Sequence, residues 1–149
     1  MAEEIERKFL VAGEGWRRAA AGSRSMRQFY LARGERATVR VRLTEGHPAR
    51  LTVKGEGGVS RPEFEWEIPE TDAREMEALA TGRVIAKTRH LVSHGGFTWE
   101  VDVFEDGLVL AEIELPAVDT PFERPDWAGE EVTGDPRYFN AAMAMGVER

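Results

Sequence analysis

Apolar and charged residues alternate with a period of two along most of the chain, and this alternation constrains the fold more than any other feature. Eight segments show it: residues 4–11, 25–32, 37–44, 49–56, 62–69, 83–93, 97–105 and 108–116. A period of two places successive side chains on opposite faces of a β-strand. The sequence therefore predicts a mainly β protein with eight strands, most of which have one apolar face and one ionic face.

Short polar connections and a few helical patches complete the predicted elements. Three of the connections are short and contain Gly or Pro, which is typical of hairpins and indicates a largely antiparallel sheet. A helix is predicted from an N-cap at Thr71 to Gly82, with further helical pieces at 15–21 and 136–145. The 149 residues contain no linker or repeat, so we expect a single domain over 1–149.

The ionic faces repeat one sign of charge within a strand. Arg40 and Arg42 share one face, and Glu63, Glu65 and Glu67 share another. Like charges at this spacing repel, so something of opposite sign is expected between them. If the eight strands close into a barrel, all these faces point into one charged lumen and the apolar faces pack outward. A purely structural barrel with cross-strand ion pairs is the alternative.

Such a lumen has two chemical halves. Cationic donors suited to phosphate oxygens are Lys8, Arg40, Arg42, Lys54, Lys87 and Arg89. Hard oxygen ligands suited to Mg or Mn are Glu4, Glu6, Glu63, Glu65, Glu100, Asp102, Glu112 and Glu114. Carboxylates and phosphates repel unless a divalent cation lies between them. The pattern therefore predicts a metal-bound polyphosphate.

Two predictions concern side chains that do not follow the ionic pattern. Lys87 and Arg89 share parity with Ile85 and Leu91, so the sixth strand is expected to contain a bulge or to be only partly exposed to the lumen. Trp66 and Trp99 are opposite in parity to the ionic face and are predicted to lie in the core.

The C-terminal segment is predicted to pack over one end of the tunnel. Its aromatic residues Trp127, Tyr138 and Phe139 are expected to anchor it and to take no part in catalysis.

Composition excludes several classes of function. The absence of cysteine excludes thiolate metal sites, thiol nucleophiles and disulfides. The net charge of −7 argues against a general nucleic-acid binder, although residues 1–60 carry 12 Lys and Arg against 7 Asp and Glu, which is compatible with a local anion site. Without an apolar run of membrane-spanning length or a basic signal-peptide start, we expect a soluble, cytoplasmic protein with no membrane partner.

An ordered set of motifs resembles a known family. EIERKFLV at 4–11 is similar to the ExExK signature of the CYTH or triphosphate tunnel metalloenzyme superfamily, and RQFYL, TVRVRL, LTVKG, RPEFEWEIP, AKTRHLV, WEVDVF, LVLAEIEL and EVTGDPRYFNAAMA follow in order. The chain looks most like the compact bacterial members that hydrolyse inorganic triphosphate. This resemblance implies an eight-stranded antiparallel tunnel, one or two Mg or Mn ions, a small-molecule triphosphate substrate and, since members are often dimers, a homodimer.

The resemblance also implies roles for individual residues. The principal metal carboxylates are Glu4, Glu6, Glu112 and Glu114, while Glu63, Glu65 and Asp102 match those associated with a second metal or the attacking water. The phosphate-binding set is Lys8, Arg40, Arg42, Lys54, Lys87 and Arg89. Catalytic roles are expected for Lys8, Glu63, Glu65, Lys87 and Asp102.

Two further positions have alternatives. Tyr30 matches a family tyrosine near the tunnel mouth, with Phe29 beside it as the alternative packing residue. Arg61 is either a phosphate ligand or a surface charge.

The implied reaction is hydrolysis of triphosphate to pyrophosphate and phosphate. Hydrolysis of thiamine triphosphate or a nucleoside triphosphate, and ATP cyclisation of the class IV adenylate cyclase type, are alternatives that require a pocket for the organic group. A non-catalytic triphosphate or polyphosphate sensor is the alternative from another class, but it could lose the metal carboxylates, and this chain retains them.

Overall fold

The computed structural model describes residues 3–146 and contains nine β-strands in this part of the chain. In chain order these are β1 (Glu3–Val11), β2 (Ala20–Arg33), β3 (Ala37–Thr44), β4 (Ala49–Gly55), β5 (Ser60–Ile68), β6 (Thr81–His94), β7 (Phe97–Phe104), β8 (Val109–Glu114) and β9 (Ala128–Glu131). The eight predicted strands are all present.

The first eight strands close into an antiparallel barrel, as the sequence predicted. The sheet order is β5-β4-β3-β2-β6-β7-β8-β1-β9, and an additional pairing of β5 with β1 closes the ring. The closure is short, because only Glu3–Ile5 of β1 pairs with β5. Further along the same edge of β1, β9 pairs with Phe9 and Val11. Strand β9 therefore pairs only with β1 and lies beside the closed barrel.

Two strands are clearly longer than predicted, and one strand was not predicted. Strands β2 and β6 are each 14 residues long, because they pair with each other well beyond the alternating part of β2, from Ala20 opposite Val92 to Tyr30 opposite Thr81. The register shifts at both ends of this pairing. Strand β9 was not predicted, since its four residues include Gly129 and show no alternation.

Short helices occupy the three predicted places. Helix α1 (Glu70–Met76) has its N-cap at Pro69, two residues before the predicted cap at Thr71, and continues as a 3₁₀ turn at Glu77–Leu79. The predicted end at Gly82 is wrong, because β6 already begins at Thr81.

The remaining helical pieces are a 3₁₀ turn at Gly15–Ala19, another at Pro136–Tyr138, and helix α2 (Asn140–Ala144). In the described part of the chain, no helix has the length and apolar character needed to cross a bilayer.

The apolar faces of the barrel pack outward in two clusters. One cluster surrounds Phe9, Trp99 and Ile113 and is covered by Trp16 and Trp127 from the flanking segments. The other contains Phe29, Val41, Ala49 and Ala73, the last of which belongs to α1. Most of the hydrophobic stabilisation therefore lies outside the barrel wall, which leaves the interior available for charged residues.

The prediction that Trp66 lies in the core is wrong, whereas Trp99 is fully buried as predicted. Trp66 does point to the outer face of β5, but its side chain is 53% exposed and stacks on Phe64, with ring centroids 6.5 Å apart. Parity determines which face a residue occupies, but a second layer must cover that face. Helix α1 packs on Val41 and Ala49 of β3 and β4, and no described segment covers Trp66.

The barrel interior is apolar at one end. Ile85, Phe104 and Leu110 share parity with the charged interior residues and form a cluster with Val132 and Met143 from the C-terminal segment. The unexpected parity of Ile85 with Lys87 is explained, since Ile85 lies in this apolar cluster and Lys87 in the charged region next to it. The C-terminal segment thus packs over one end of the interior, as predicted, with Tyr138 against this cluster. The prediction that Trp127 anchors it there is wrong, because Trp127 packs in the outer cluster with Trp99.

Candidate active site

The charged faces of the barrel line one interior cavity of about 680 Å³. Fifteen residues were predicted to bind metal or substrate or to act in catalysis, if Glu100, for which no individual role was predicted, is set aside. All of them except Asp102 line the cavity: Glu4, Glu6, Lys8, Tyr30, Arg40, Arg42, Lys54, Arg61, Glu63, Glu65, Lys87, Arg89, Glu112 and Glu114. Their common position follows from the two-residue period, which directs these side chains inward from seven of the eight strands. Glu100 also lines the cavity.

The arginines on β3 are poorly compensated. Arg42 donates from Nε to Gln28 Oε1 at 3.0 Å, and no carboxylate of residues 3–146 lies within ion-pair distance of it. Burial and the positive charges of Arg40 and Arg89 lower the pKa of Arg42 to about 9. The Nε of Arg40 is buried and has no hydrogen-bond acceptor among the described residues. Unsatisfied buried donors beside like charges favour binding of an anion.

Asp102 lies beneath the cavity wall, where it holds two cations. Its carboxylate accepts hydrogen bonds from Arg89 Nε at 2.8 Å and Nη2 at 2.9 Å, and Lys87 Nζ is 2.7 Å from Oδ2. Burial alone would raise the pKa of Asp102, but Lys87 and Arg89 lower it to about 2. Burial and the neighbouring Arg89 and Arg42 lower the pKa of Lys87 to about 7 despite Asp102.

Carboxylates crowd the opposite part of the cavity, where β1 and β8 are paired. Glu6 lies opposite Glu114, and Lys8 lies opposite Glu112. Burial and the negative charges of Glu112 and Glu4 raise the pKa of Glu6 to about 8. Burial, together with Glu100 and Glu6, also raises the pKa of Glu114.

Basic residues partly compensate this carboxylate cluster. Lys54 Nζ is 2.7 Å from Glu4, Arg61 Nη2 is 3.3 Å from Glu6, and Lys8 Nζ is 3.3 Å from Glu112.

The carboxylate cluster fits a divalent cation. Its donors are hard oxygens, and the raised pKa of Glu6 means that additional positive charge is needed to stabilise its ionised form. Within residues 3–146, no three acidic or histidine side chains already surround a metal-sized site. The set has the right chemistry, while Lys54 and Arg61 currently form the ion pairs with Glu4 and Glu6.

Glu63 and Glu65 lie on the β5 wall between the cationic and acidic parts. Glu63 is 3.6 Å from Lys54 Nζ. Glu65 Oε2 accepts a hydrogen bond from the Thr52 hydroxyl at 2.8 Å and is 3.8 Å from Arg40 Nη2. Both carboxylates therefore face the cations expected to hold phosphate.

Tyr30 and Phe29 divide as their parity requires. Tyr30 lines the cavity opposite Arg40, whereas Phe29 is fully buried in the outer core. Arg61 faces the interior through its contacts with Glu4 and Glu6 and does not lie on the outer surface.

Sequence reasoning assigned no role to three polar residues that organise the cavity. Thr52 connects Arg40 to Glu65, and Gln28 accepts from Arg42. Their signal was available, because Thr52 shares parity with Lys54, and Gln28 with Tyr30. The third residue is Asn140. Strand alternation could not identify it, because it lies in a helix and reaches the cavity only through the tertiary fold.

Comparisons with known proteins agree with this architecture. The family model described as the CYTH domain matches residues 2–139. The chain is 47% identical to an inorganic triphosphatase of Acetivibrio thermocellus, over 96% of this chain and 94% of the relative, and 38% identical to an inorganic triphosphatase of Nitrosomonas europaea, over 97% and 98%.

Among solved structures, a crystal structure of the inorganic triphosphatase NE1496 is similar with a TM-score of 0.68 and 34% identity, covering 100% of this chain and 99% of that one. The family model matches most of the chain, and the two relatives are similar to it over nearly their whole length. The chain belongs to the CYTH domain family.

Proposed function

We propose that this protein is a hydrolase that converts inorganic triphosphate and water into pyrophosphate and phosphate, with a divalent cation, Mg or Mn, as its cofactor. The supporting observation is the cavity itself, in which Arg42 has no carboxylate partner among residues 3–146 while carboxylates crowd the β1 and β8 wall. A metal-bound triphosphate supplies both missing charges. The relatives that carry the name inorganic triphosphatase support the same reaction.

The cationic residues hold the triphosphate in this proposal. Arginines offer paired N–H donors to phosphate oxygens and lysines act as point charges. The set is Lys8, Arg40, Arg42, Lys54, Arg61, Lys87 and Arg89, with Tyr30 as a hydroxyl donor. Fixing the chain of phosphates in line with the attacking water and stabilising developing negative charge are the main demands of phosphoryl transfer.

The acidic residues bind the cation and orient water. Glu4, Glu6, Glu112 and Glu114 are the carboxylates that would hold Mg or Mn, which when bound neutralises charge on the phosphate oxygens. Glu63 and Glu65 orient the attacking water or hold a second cation. Asp102 acts through Lys87 and Arg89, because both its oxygens are engaged by these two residues beneath the cavity wall.

The lining of the cavity favours an inorganic substrate over one with an organic group. Its side chains are mostly charged, and the few with apolar surface are Tyr30, Ala37, Phe139 and Ala141. Lys8 and Arg61 already lie over the ring of Phe139, at 6.0 and 5.7 Å from its centroid. A nucleobase or thiazole ring would find little apolar surface inside the barrel.

Phosphate release tests the proposal directly. Tripolyphosphate, ATP, thiamine triphosphate and pyrophosphate are each assayed with Mg, Mn or EDTA, and cyclic AMP is monitored in the ATP reactions. We expect metal-dependent turnover with tripolyphosphate as the best substrate. Faster hydrolysis of an organic triphosphate, or cyclic AMP formation, would refute the substrate assignment. Tight binding of tripolyphosphate without turnover would indicate a sensor.

A matched pair of variants locates the reaction in the cavity. Glu6→Gln removes a carboxylate of the acidic cluster, and we expect it to lower kcat/KM by about 100-fold, because it weakens binding of the cation that would stabilise negative charge in the transition state. Glu77→Gln removes a surface carboxylate that pairs with Arg27 outside the barrel, and it should leave kcat/KM unchanged. Equal effects of the two substitutions would contradict the site.

A further inference from the structure

The C-terminal segment reaches into the barrel and contacts the cations expected to hold phosphate. The carbonyl oxygen of Tyr138 accepts a hydrogen bond from Lys8 Nζ at 2.9 Å, and Asn140 lines the cavity. The sequence predicted only an anchoring role for this segment. Its polar contacts with Lys8 and Lys87 go beyond packing.

The side chain of Asn140 connects two strands of the barrel. Its Oδ1 accepts hydrogen bonds from Gln28 Nε2 on β2 at 3.0 Å and from Lys87 Nζ on β6 at 3.1 Å. An amide oxygen has two lone pairs, so both are used. Asn140 is the first residue of α2, after the N-cap Phe139, and both hydrogen bonds that its Oδ1 accepts come from barrel strands. The geometry thus serves the barrel interior and not the helix terminus.

The contact at Gln28 extends this connection to a third strand. Gln28 is fully buried, lies opposite Arg42 on β3, and accepts a hydrogen bond from Arg42 Nε at 3.0 Å. The residues Lys87, Asn140, Gln28 and Arg42 form one continuous chain of hydrogen bonds, which we call the amide chain. It joins α2 to two members of the phosphate-binding set.

The amide chain leaves defined donors free for the substrate. A lysine ammonium has three N–H groups, and at Lys87 one faces Asp102 and one faces Asn140, which leaves the third for the cavity that Lys87 lines. At Arg42 the Nε–H is held by Gln28, so the terminal N–H groups are available to bind phosphate oxygens in pairs. Buried groups with fixed partners lose little freedom when the substrate binds.

We propose that Asn140 is a positioning residue for triphosphate hydrolysis, which orients Lys87 directly and Arg42 through Gln28. This role rests on the proposed function, because it assumes that Lys87 and Arg42 bind the substrate phosphates. It assigns the C-terminal helix a part in the reaction: α2 must be docked for the two cations to be correctly aimed.

The test uses Asn140→Leu, which is similar in size and lacks the acceptor oxygen. We expect kcat/KM for tripolyphosphate to fall at least tenfold, and the Kd for tripolyphosphate, measured by calorimetry in EDTA, to rise by a similar factor. Asn140→Asp keeps an acceptor oxygen in the same place and should retain more activity than Asn140→Leu. Unchanged kcat/KM and Kd in Asn140→Leu would overturn the role.

A control variant separates positioning from simple loosening of the helix. Arg83 donates a hydrogen bond from Nη2 to the main-chain carbonyl of Met143 at 2.9 Å and thus helps to dock α2 without joining the amide chain. Arg83→Met should lower the thermal unfolding midpoint but leave kcat/KM within twofold of wild type. A tenfold loss of kcat/KM in Arg83→Met would mean that Asn140 acts only by packing.

A double-mutant cycle identifies the group through which Asn140 acts. In a Lys87→Met background, Asn140→Leu should raise the Kd for tripolyphosphate much less than it does in wild type, because one of the two donors is already gone. Equal effects in both backgrounds would overturn the positioning of Lys87. If Asn140→Leu does not fold, Asn140→Ala deletes the amide without added bulk and is used in the same cycle.

The measurements also separate this role from the proposed function. If wild type binds tripolyphosphate but does not hydrolyse it, the proposed function fails and the binding cycle still decides whether Asn140 positions Lys87. If wild type hydrolyses tripolyphosphate and Asn140→Leu does so equally well, the proposed function stands and the positioning role is wrong.

Discussion

Arg42 should make the protein less stable in the absence of an anion. Burial and the neighbouring Arg40 and Arg89 lower its pKa from 12.5 to about 9. An arginine keeps its proton at neutral pH, so the unfavourable environment appears as a cost in folding free energy. This difference in pKa corresponds to about 5 kcal/mol at ~1.36 kcal/mol per pKa unit. Arg42 retains some solvent contact, and screening reduces the cost to about 1–3 kcal/mol.

We therefore expect Arg42→Met to raise the free energy of unfolding by up to about 2 kcal/mol, after the loss of one hydrogen bond is subtracted, while it weakens triphosphate binding. The methionine fills much of the volume of the arginine stem and removes the repulsion with Arg40 and Arg89. Gln28 loses a donor in exchange, which offsets about 1 kcal/mol of the gain. Urea unfolding at pH 7 in EDTA measures the stability, and calorimetry with tripolyphosphate measures the binding.

A matched control has the opposite expected sign. Arg27 on β2 forms a bidentate pair with Glu77 at the surface, with Nε and Nη2 at 2.7 and 2.9 Å from the two carboxylate oxygens. Arg27→Met should leave tripolyphosphate binding unchanged and destabilise the protein by at most about 1 kcal/mol. If Arg42→Met destabilises the ligand-free protein as much as Arg27→Met does, the interior is not electrostatically strained and the reasoning fails.

Three further predictions test the rest of the structure. The hydrogen bonds from Arg7 lower the pKa of Glu131 below its usual value of 4.5. The ion pair therefore stabilises the fold above pH 4.5, and this contribution is lost as the pH falls through the lowered pKa. Glu131→Gln should lower the free energy of unfolding by about 0.5–1 kcal/mol at pH 7 and leave it unchanged in acid, as measured by urea unfolding at both pH values. Trp99→Leu should destabilise by about 3 kcal/mol and Trp66→Leu by less than about 1 kcal/mol in the same assay, and similar losses would contradict the exposure of Trp66. Gly82→Ala should destabilise the protein by about 2 kcal/mol or more. Gly82 has φ +76°, and a Cβ at this position would clash with the carbonyl oxygen of Ala144 in α2. An unchanged thermal unfolding midpoint would show that α2 is not docked against Gly82.

The sequence predicts the barrel well because alternation carries the relevant information locally. Arg40 and Arg42 face the interior, and Val39 and Val41 face outward, as the two-residue period of the strand requires. The same reasoning correctly places Tyr30 in the cavity and the adjacent Phe29 in the outer core. Each of these predictions needs only the parity of a residue along its own strand.

The features that sequence reasoning missed depend on which elements meet in space. Trp66 lies at a position that alternation assigns to the core face, but a second layer must cover that face to bury it. Helix α1 covers β3 and β4 and does not reach Trp66 on β5. Strand β9 forms because β1 leaves part of one edge free beyond its short pairing with β5. Asn140 meets Gln28 only after the C-terminal segment has docked, across 112 residues of sequence. Neither periodicity nor propensity encodes these contacts.

Negative and positive charges lie in different parts of the cavity, and this separation favours the joint binding of a cation and a polyanion over the binding of either alone. The ionised form of Glu6 on β1 is disfavoured by burial and by Glu112 and Glu4, whereas the ionised form of Arg42 on β3 is disfavoured by burial and by Arg40 and Arg89. Strands β4 and β5 lie between β1 and β3 in the barrel wall. The two unfavourable charges therefore do not neutralise each other.

A cation alone would relieve the strain at Glu6 and increase the positive charge of an already cationic cavity, whereas a polyanion alone would relieve Arg42 and repel the carboxylates of β1 and β8. A polyphosphate that carries its own divalent cation relieves both at once. Each ligand should therefore bind more tightly when the other is present, and thermodynamic reciprocity requires the same factor in both directions. The strand that begins with alternating Glu4, Glu6 and Lys8 places both charge types on one face at the boundary between the two regions.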